Sequence, residues 1–175
     1  KHLIEKFWLR IGINRINTVY VQSESVKRLF TEEFPGVRVK TLAFSNLSKT
    51  ENKAEKKEDF IYIASAEPHK NHINLIRAWI YLFENGVKLK LTLTVSKFSK
   101  IEQSVLDSAL EKGVRIEFRP NLSHDEVLKL YTTSKALIYP SLTESFGLPL
   151  IEAKQAGLPI IASELDFVRD LVEPV

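Results

Sequence analysis

At 175 residues, with 44% hydrophobic and 27% charged side chains, the chain can bury the core of one α/β-sized domain with some extra elements. It contains no cysteine, which excludes disulfides and thiolate chemistry, and no run of eighteen apolar residues that would predict a membrane-spanning helix. The net charge of +3 comes without a basic cluster interleaved with aromatics, so nucleic acid is not an expected partner.

In chain order, Lys1 to Gly12 predicts a helix with Leu3, Ile4, Phe7 and Trp8 on one face. That stretch is amphipathic rather than apolar, so no signal peptide is expected. With no methionine in the chain, the sequence reads as a processed protein or a piece of a longer one. Thr18 to Val21 is a short strand. Ser23 caps a helix that runs to about Phe34 and is stopped by Pro35-Gly36. Val37 to Leu42 alternates as a strand. Ser45 to Asp59 is polar and dense in lysine and glutamate, and reads as a solvated linker.

After the linker, strand and helix alternate. Phe60 to Ala64 is apolar and strand-like. Asn71 to Phe83 is helical, with Ile73, Ile76, Ile80 and Phe83 in one stripe and Gly86 as a stop. Val87 to Val95 alternates apolar residues with lysine and threonine, as a half-wet strand does. Ile101 to Lys112 is a helix ended by Gly113. Val114 to Phe118 is a strand, and Ser123 to Glu126 is a capping box that opens a helix running through Tyr131. Ala136 to Tyr139 and Pro159 to Ala162 are strands. Five strands with intervening helices predict an α/β fold with a doubly wound parallel sheet.

Between the last two strands, Glu144 to Glu152 sets two carboxylates eight positions apart around a turn that opens a helix. Pro149 stands near the start of that helix, Gly157 just past its end, and the helix is expected from Leu150 to Ala156. Glu144 therefore falls on a loop at the carboxyl end of a strand, where open α/β sheets bind ligands. The amides of Phe146, Gly147 and Leu148 line a helix N-terminus, an arrangement suited to phosphate.

Tyr139 to Pro149, followed by Glu152-Ala153 and Ala156 to Ser163, resembles the core Glu-x7-Glu block of the retaining GT-B glycosyltransferases of family 4, the glycosyl transferases group 1. Tyr62 to Asn71 resembles the same family's first donor-domain strand and lysine loop. The resemblance runs from about Phe60 to the end. It implies a Rossmann-like, nucleotide-sugar-binding lobe over 60–175, truncated at its C-terminus, a charged linker over 45–59, and the last elements of an acceptor lobe over 1–44. It implies that Glu144 faces the transferred sugar and favours its cationic transition state, without acting as a covalent nucleophile. By the same resemblance Glu152 is expected to accept from the ribose hydroxyls, a role compatible with that of a first-turn acid facing the helix dipole. The resemblance likewise implies that Lys70 neutralises the leaving diphosphate. The family usually carries an arginine five residues before this lysine, and here that position is Ser65, which removes one positive charge from the expected donor site.

The implied substrates are a nucleotide sugar and a glycan or lipid-linked acceptor, with surface polysaccharide or lipopolysaccharide synthesis as the setting. The implied location is cytoplasmic, or peripheral at the inner face of a membrane. No cofactor and no metal are expected. His69, His72 and His124 lack the spacing of a ligand set, and there is no Asp-x-Asp pair. No Gly-x-Gly-x-x-Gly or Gly-x4-Gly-Lys stretch supports a dehydrogenase or a phosphate loop. Two alternatives stand beside the enzyme: a non-catalytic nucleotide-sugar-binding module on the same fold, and an unrelated α/β interaction domain.

Overall fold

A computed structural model describes residues 2–42 and 58–173. The first stretch holds helix α1 (His2–Gly12), strand β1 (Val19–Val21), helix α2 (Glu24–Glu33) and strand β2 (Val39–Thr41). The two strands pair in parallel, with Val19 opposite Val39. Ser23 caps α2 by accepting from the Val26 amide, as its position predicts. Most of the expected linker lies outside the described residues. Its end is corrected: Glu58 and Asp59 already belong to strand β3 (Glu58–Tyr62). Asp59 is held there by the Lys90 amide at 2.9 Å and the Lys135 ammonium at 2.6 Å.

The second stretch continues with α3 (His72–Glu84), β4 (Leu91–Leu93), α4 (Lys100–Glu111), β5 (Ile116–Phe118), α5 (His124–Thr133), β6 (Ser134–Tyr139), α6 (Leu148–Gln155), β7 (Ile160–Ala162) and α7 (Asp166–Arg169). Among the described residues, five strands form one wholly parallel sheet in the order β5-β4-β3-β6-β7. The chain leaves β3 in one direction to β4 and β5, then returns to the other side of β3 for β6 and β7. Right-handed crossovers put α3 and α4 on one face of the sheet and α5 and α6 on the other. The doubly wound sheet predicted from the alternation is therefore the fold observed.

The core follows from burial on both faces. Ile61, Tyr62, Leu91, Leu93 and Leu137 are fully buried strand residues, packed with Ile76 of α3 and Leu150 and Ala153 of α6. Removing an aliphatic side chain of this size from water contributes about 1.5–3 kcal/mol. The two stretches meet where α2 packs on α7. Asp170 accepts from the Ser25 amide at 2.7 Å, in the first turn of α2, and Arg28 pairs with Asp166. The Asp170 carboxylate thus satisfies a helix-start amide that Ser23 leaves open.

Candidate functional site at the switch point of the sheet

The strand order reverses between β3 and β6, so the loops at their carboxyl ends flank the crevice where such sheets bind ligands. The β3 loop closes on a short 3-10 turn, Pro68–Lys70, ending at Asn71 with φ 63°. Asparagine tolerates this left-handed backbone because its short polar side chain can bond locally. Here Asn71 Oδ1 accepts locally from Asn74 at 2.7 Å, while its side-chain Nδ2 donates across the crevice to the Pro140 carbonyl at 3.1 Å. The Leu142 amide donates to the His69 carbonyl at 2.9 Å, so the two loops are stitched across the crevice. The Tyr62 hydroxyl donates to the Lys70 carbonyl at 2.7 Å and lies 2.9 Å from the Ser141 hydroxyl.

This stitching brings Lys70 and Glu144 together. The ammonium donates to both carboxylate oxygens, at 2.7 and 2.9 Å, with the two side chains 14% and 9% exposed. The Tyr139 hydroxyl, at the end of β6, donates to the same Glu144 Oε1 at 2.9 Å. Tyr62 and Tyr139 pack edge to face, centroids 5.9 Å apart. Burial pushes both phenols above their usual range, and the Glu144 carboxylate pushes each further.

Glu152 does not join this cluster. It sits in the second turn of α6 and accepts from the Tyr131 hydroxyl of α5 at 2.9 Å. The expected first-turn role against the helix dipole is thereby corrected: α6 begins at Leu148, two residues earlier than predicted, and its first turn has no acidic residue. The start of α6, where a phosphate is expected, is also leaner in amides than expected. Gly147 caps it with φ 84°, Pro149 has no N–H, and the Leu150 amide bonds to the Gly147 carbonyl at 3.0 Å. Phe146, the first residue of the expected set, is buried.

Ser65 lies exposed in the β3 loop and bonds to Glu67 rather than to Lys70 or Glu144. A carboxylate thus stands beside the position where a second cation would be expected. Of the histidines, His72 is 1% exposed between Tyr62 and Phe98, and burial lowers its pKa. His124 is an exposed first residue of α5, behind the Ser123 cap. Among the described residues no three His, Cys, Asp or Glu side chains gather to hold a metal ion. The sequence reading missed the three tyrosines. No local signal marks them, since a tyrosine at the apolar end of an element reads simply as core.

A cavity of about 940 Å³ opens beside the crevice at the carboxyl ends of β4 and β5, lined by Val95, Lys97, Phe98, Lys100, Phe118 and Pro120. Its wall, which also carries Asp107 and Glu111 of α4, adjoins the Arg119 to Leu122 loop.

Residues 44–174 match the family model described as glycosyl transferases group 1. The O-antigen chain mannosyltransferase RfbU of Salmonella typhimurium is 26% identical over 171 residues, 95% of this chain and 48% of that protein. The O-antigen chain mannosyltransferase B of Escherichia coli is 30% identical over 115 residues, 64% of this chain and 30% of that protein. The chain thus spans about half or less of these relatives. Among solved structures, the pneumococcal O-GlcNAc transferase GtfA, in complex with UDP and GlcNAc, superposes with a TM-score of 0.75 at 17% identity, over 90% of this chain and 32% of that one. Anabaena HepE, in complex with UDP and glucose, gives 0.71 at 22% identity, over 97% and 51%. These likenesses are of fold alone: a parallel sheet with flanking helices, as in the GT-B fold.

Proposed function

The chain belongs to the glycosyl transferases group 1, and from that membership we propose that it is the donor-binding part of a retaining glycosyltransferase. It binds a nucleoside-diphosphate sugar of the hexose class for transfer to an acceptor hydroxyl. The observation that carries this reading is the Lys70–Glu144 pair at the switch point, an ammonium and a carboxylate converging from two loops that are adjacent only in space.

In this reading Lys70 turns to the diphosphate, together with the Gly147 and Leu148 amides, and Glu144 is left facing the sugar. The bond from the sugar's anomeric carbon to the phosphate oxygen breaks. The acceptor oxygen bonds to that carbon from the same face, and its proton passes to the departing diphosphate. Positive charge on the sugar peaks between these events, and a preorganised carboxylate lowers its energy there most. Glu152 accepts from the ribose hydroxyls. No metal takes part in the proposed step, so a chelator leaves transfer by the whole enzyme unchanged.

The O-antigen relatives support mannose as the sugar and a surface polysaccharide as the product. A glycan or lipid-linked acceptor, a cytoplasmic location and peripheral membrane contact belong to the same proposal. Phe7, Trp8 and Ile11 stand exposed on α1 and support that contact. Among the described residues no helix is long and apolar enough to cross a membrane.

A second reading, a nucleotide-sugar-binding module without catalysis, is favoured by one observation: Glu67 engages Ser65 where the family usually has an arginine. Thermal shift with uridine and guanosine diphosphates and their sugars tests both. A ligand at a hundredfold excess over Kd stabilises by about 2.7 kcal/mol. No shift with any of them overturns the donor-site reading. Binding without transfer, in the full-length enzyme with acceptor, selects the second.

A further inference from the structure

We propose that Tyr131 is a positioning residue of the donor site: its phenol holds Glu152 by one carboxylate oxygen, in the orientation that presents the other to the ribose diol of a nucleoside diphosphate. The proposal rests on Glu152 being the ribose acceptor.

The hydroxyl of Tyr131 donates to Glu152 Oε2 at 2.9 Å, across the packing of α5 on α6. Tyr131 is fully buried and Glu152 is partly exposed, so the pair joins the core to the surface of the site. A glutamate side chain turns about three bonds, and ordering it costs rotamer entropy. A buried donor that has already selected its rotamer removes that cost from ligand binding. Glu152 also stands in mid-helix, and among the described residues no lysine or arginine is bonded to it. Its bond to Tyr131 is to a neutral group, which leaves the carboxylate charge for the ligand.

The phenol suits the task. A buried hydroxyl must find a partner or destabilise the fold, so the ring alone, as in phenylalanine, would fill the same core volume more simply. What the oxygen adds is the bond to Glu152. Burial raises the phenol's pKa, and the Glu152 charge raises it further, so the group remains a donor throughout neutral and mildly alkaline conditions. Tyr62 and Tyr139 repeat the arrangement at Lys70 and Glu144, one holding a backbone carbonyl and the other a carboxylate.

The test is calorimetry on the whole chain with uridine diphosphate and guanosine diphosphate, each beside its 2′,3′-dideoxy analogue. Tyr131→Phe is expected to weaken the ribose forms about tenfold and to leave the dideoxy forms unchanged. In a Glu152→Ala background it is expected to have no further effect. A melting curve checks that the variant is folded. If Tyr131→Phe does not fold, Glu152→Asp replaces it: this shortens the reach to Tyr131 while keeping the charge, and the same ribose-specific loss is expected.

Equal losses for ribose and dideoxy forms, or a loss that persists without Glu152, would overturn the proposal, because the phenol would then act on the fold alone. If Glu152→Ala weakens the ribose forms and Tyr131→Phe does not, the proposal falls and the donor-site reading stands. If Glu152→Ala leaves the ribose forms unchanged, or the unaltered chain binds neither diphosphate, the reading of Glu152 fails and the proposal with it.

Discussion

Glu144 and Lys70 are each other's partners, and this changes what a substitution does. An approaching diphosphate must draw Lys70 from a largely buried carboxylate before it gains the ammonium. Replacing Glu144 with glutamine removes that competition. Glu144→Gln is therefore predicted to tighten binding of uridine or guanosine diphosphate by roughly one decade, since hydrogen bonds to charged groups contribute about 1.5–3 kcal/mol. Calorimetry decides it, and weakened binding would show that Glu144 assists the diphosphate instead. The candidate residues were legible singly, from Glu144 to Glu152 in one motif and Lys70 in another. Their meeting was not, because 74 positions separate Lys70 from Glu144 and only the strand reversal makes them neighbours. The phenols were less legible still. Nothing in a tyrosine's local pattern separates a core ring from a ring whose hydroxyl is aimed at a carboxylate.

At the scale of elements, capping chemistry was read well and strand ends poorly. Ser123 and Glu126 form the reciprocal capping box that opens α5 where predicted. The strand expected from Val87 is only Leu91–Leu93. Residues 86–87 close α3 instead: the Gly86 amide bonds to the Phe83 carbonyl at 3.0 Å and the Val87 amide to that of Leu82 at 2.9 Å, with Gly86 at φ 84°. This is a Schellman ending, and it consumes residues whose alternation looked strand-like. The four-residue α7 carried too little periodicity to be seen. The start of α6 offers a test of this scale. At Gly147 a Cβ would meet Leu171 at 3.2 Å and Leu150 at 3.3 Å, on a left-handed backbone. Gly157 shares that backbone, at φ 64°, with open space around it. Gly147→Ala is predicted to lose about 1–2 kcal/mol for the backbone alone, and more for the contacts, so it should destabilise beyond Gly157→Ala. Urea unfolding of the two variants compares them, and equal losses would mean that Leu150 and Leu171 yield freely.

The whole molecule carries five tyrosines, and the structure divides them. Tyr20 and Tyr81 are exposed, while Tyr62, Tyr131 and Tyr139 are buried with phenols raised above the ordinary value of 10.0. The unfolded chain releases these three protons near pH 10 and the folded chain retains them. Their contribution is therefore fully present below pH 10 and is lost as pH rises beyond it, with a limiting slope of roughly 4 kcal/mol per pH unit. Urea unfolding in alkaline steps, followed by tyrosinate absorbance, should show Tyr62, Tyr131 and Tyr139 ionising only on unfolding. Ionisation of these three in the native state would contradict their burial. The architecture itself was the most legible level, because a doubly wound sheet needs only the alternation of apolar strands and amphipathic helices. How the first stretch meets the second was not legible, since that contact is made by Asp170 and a backbone amide of α2. This tie joins residues 145 positions apart, whereas α2 and its Ser23 cap are local. Loop closure of that span is favourable only after the intervening sheet has formed. The junction between the two sheets is thus a late event in folding, and a ribosome must release the segment that carries Asp170 before it can be made.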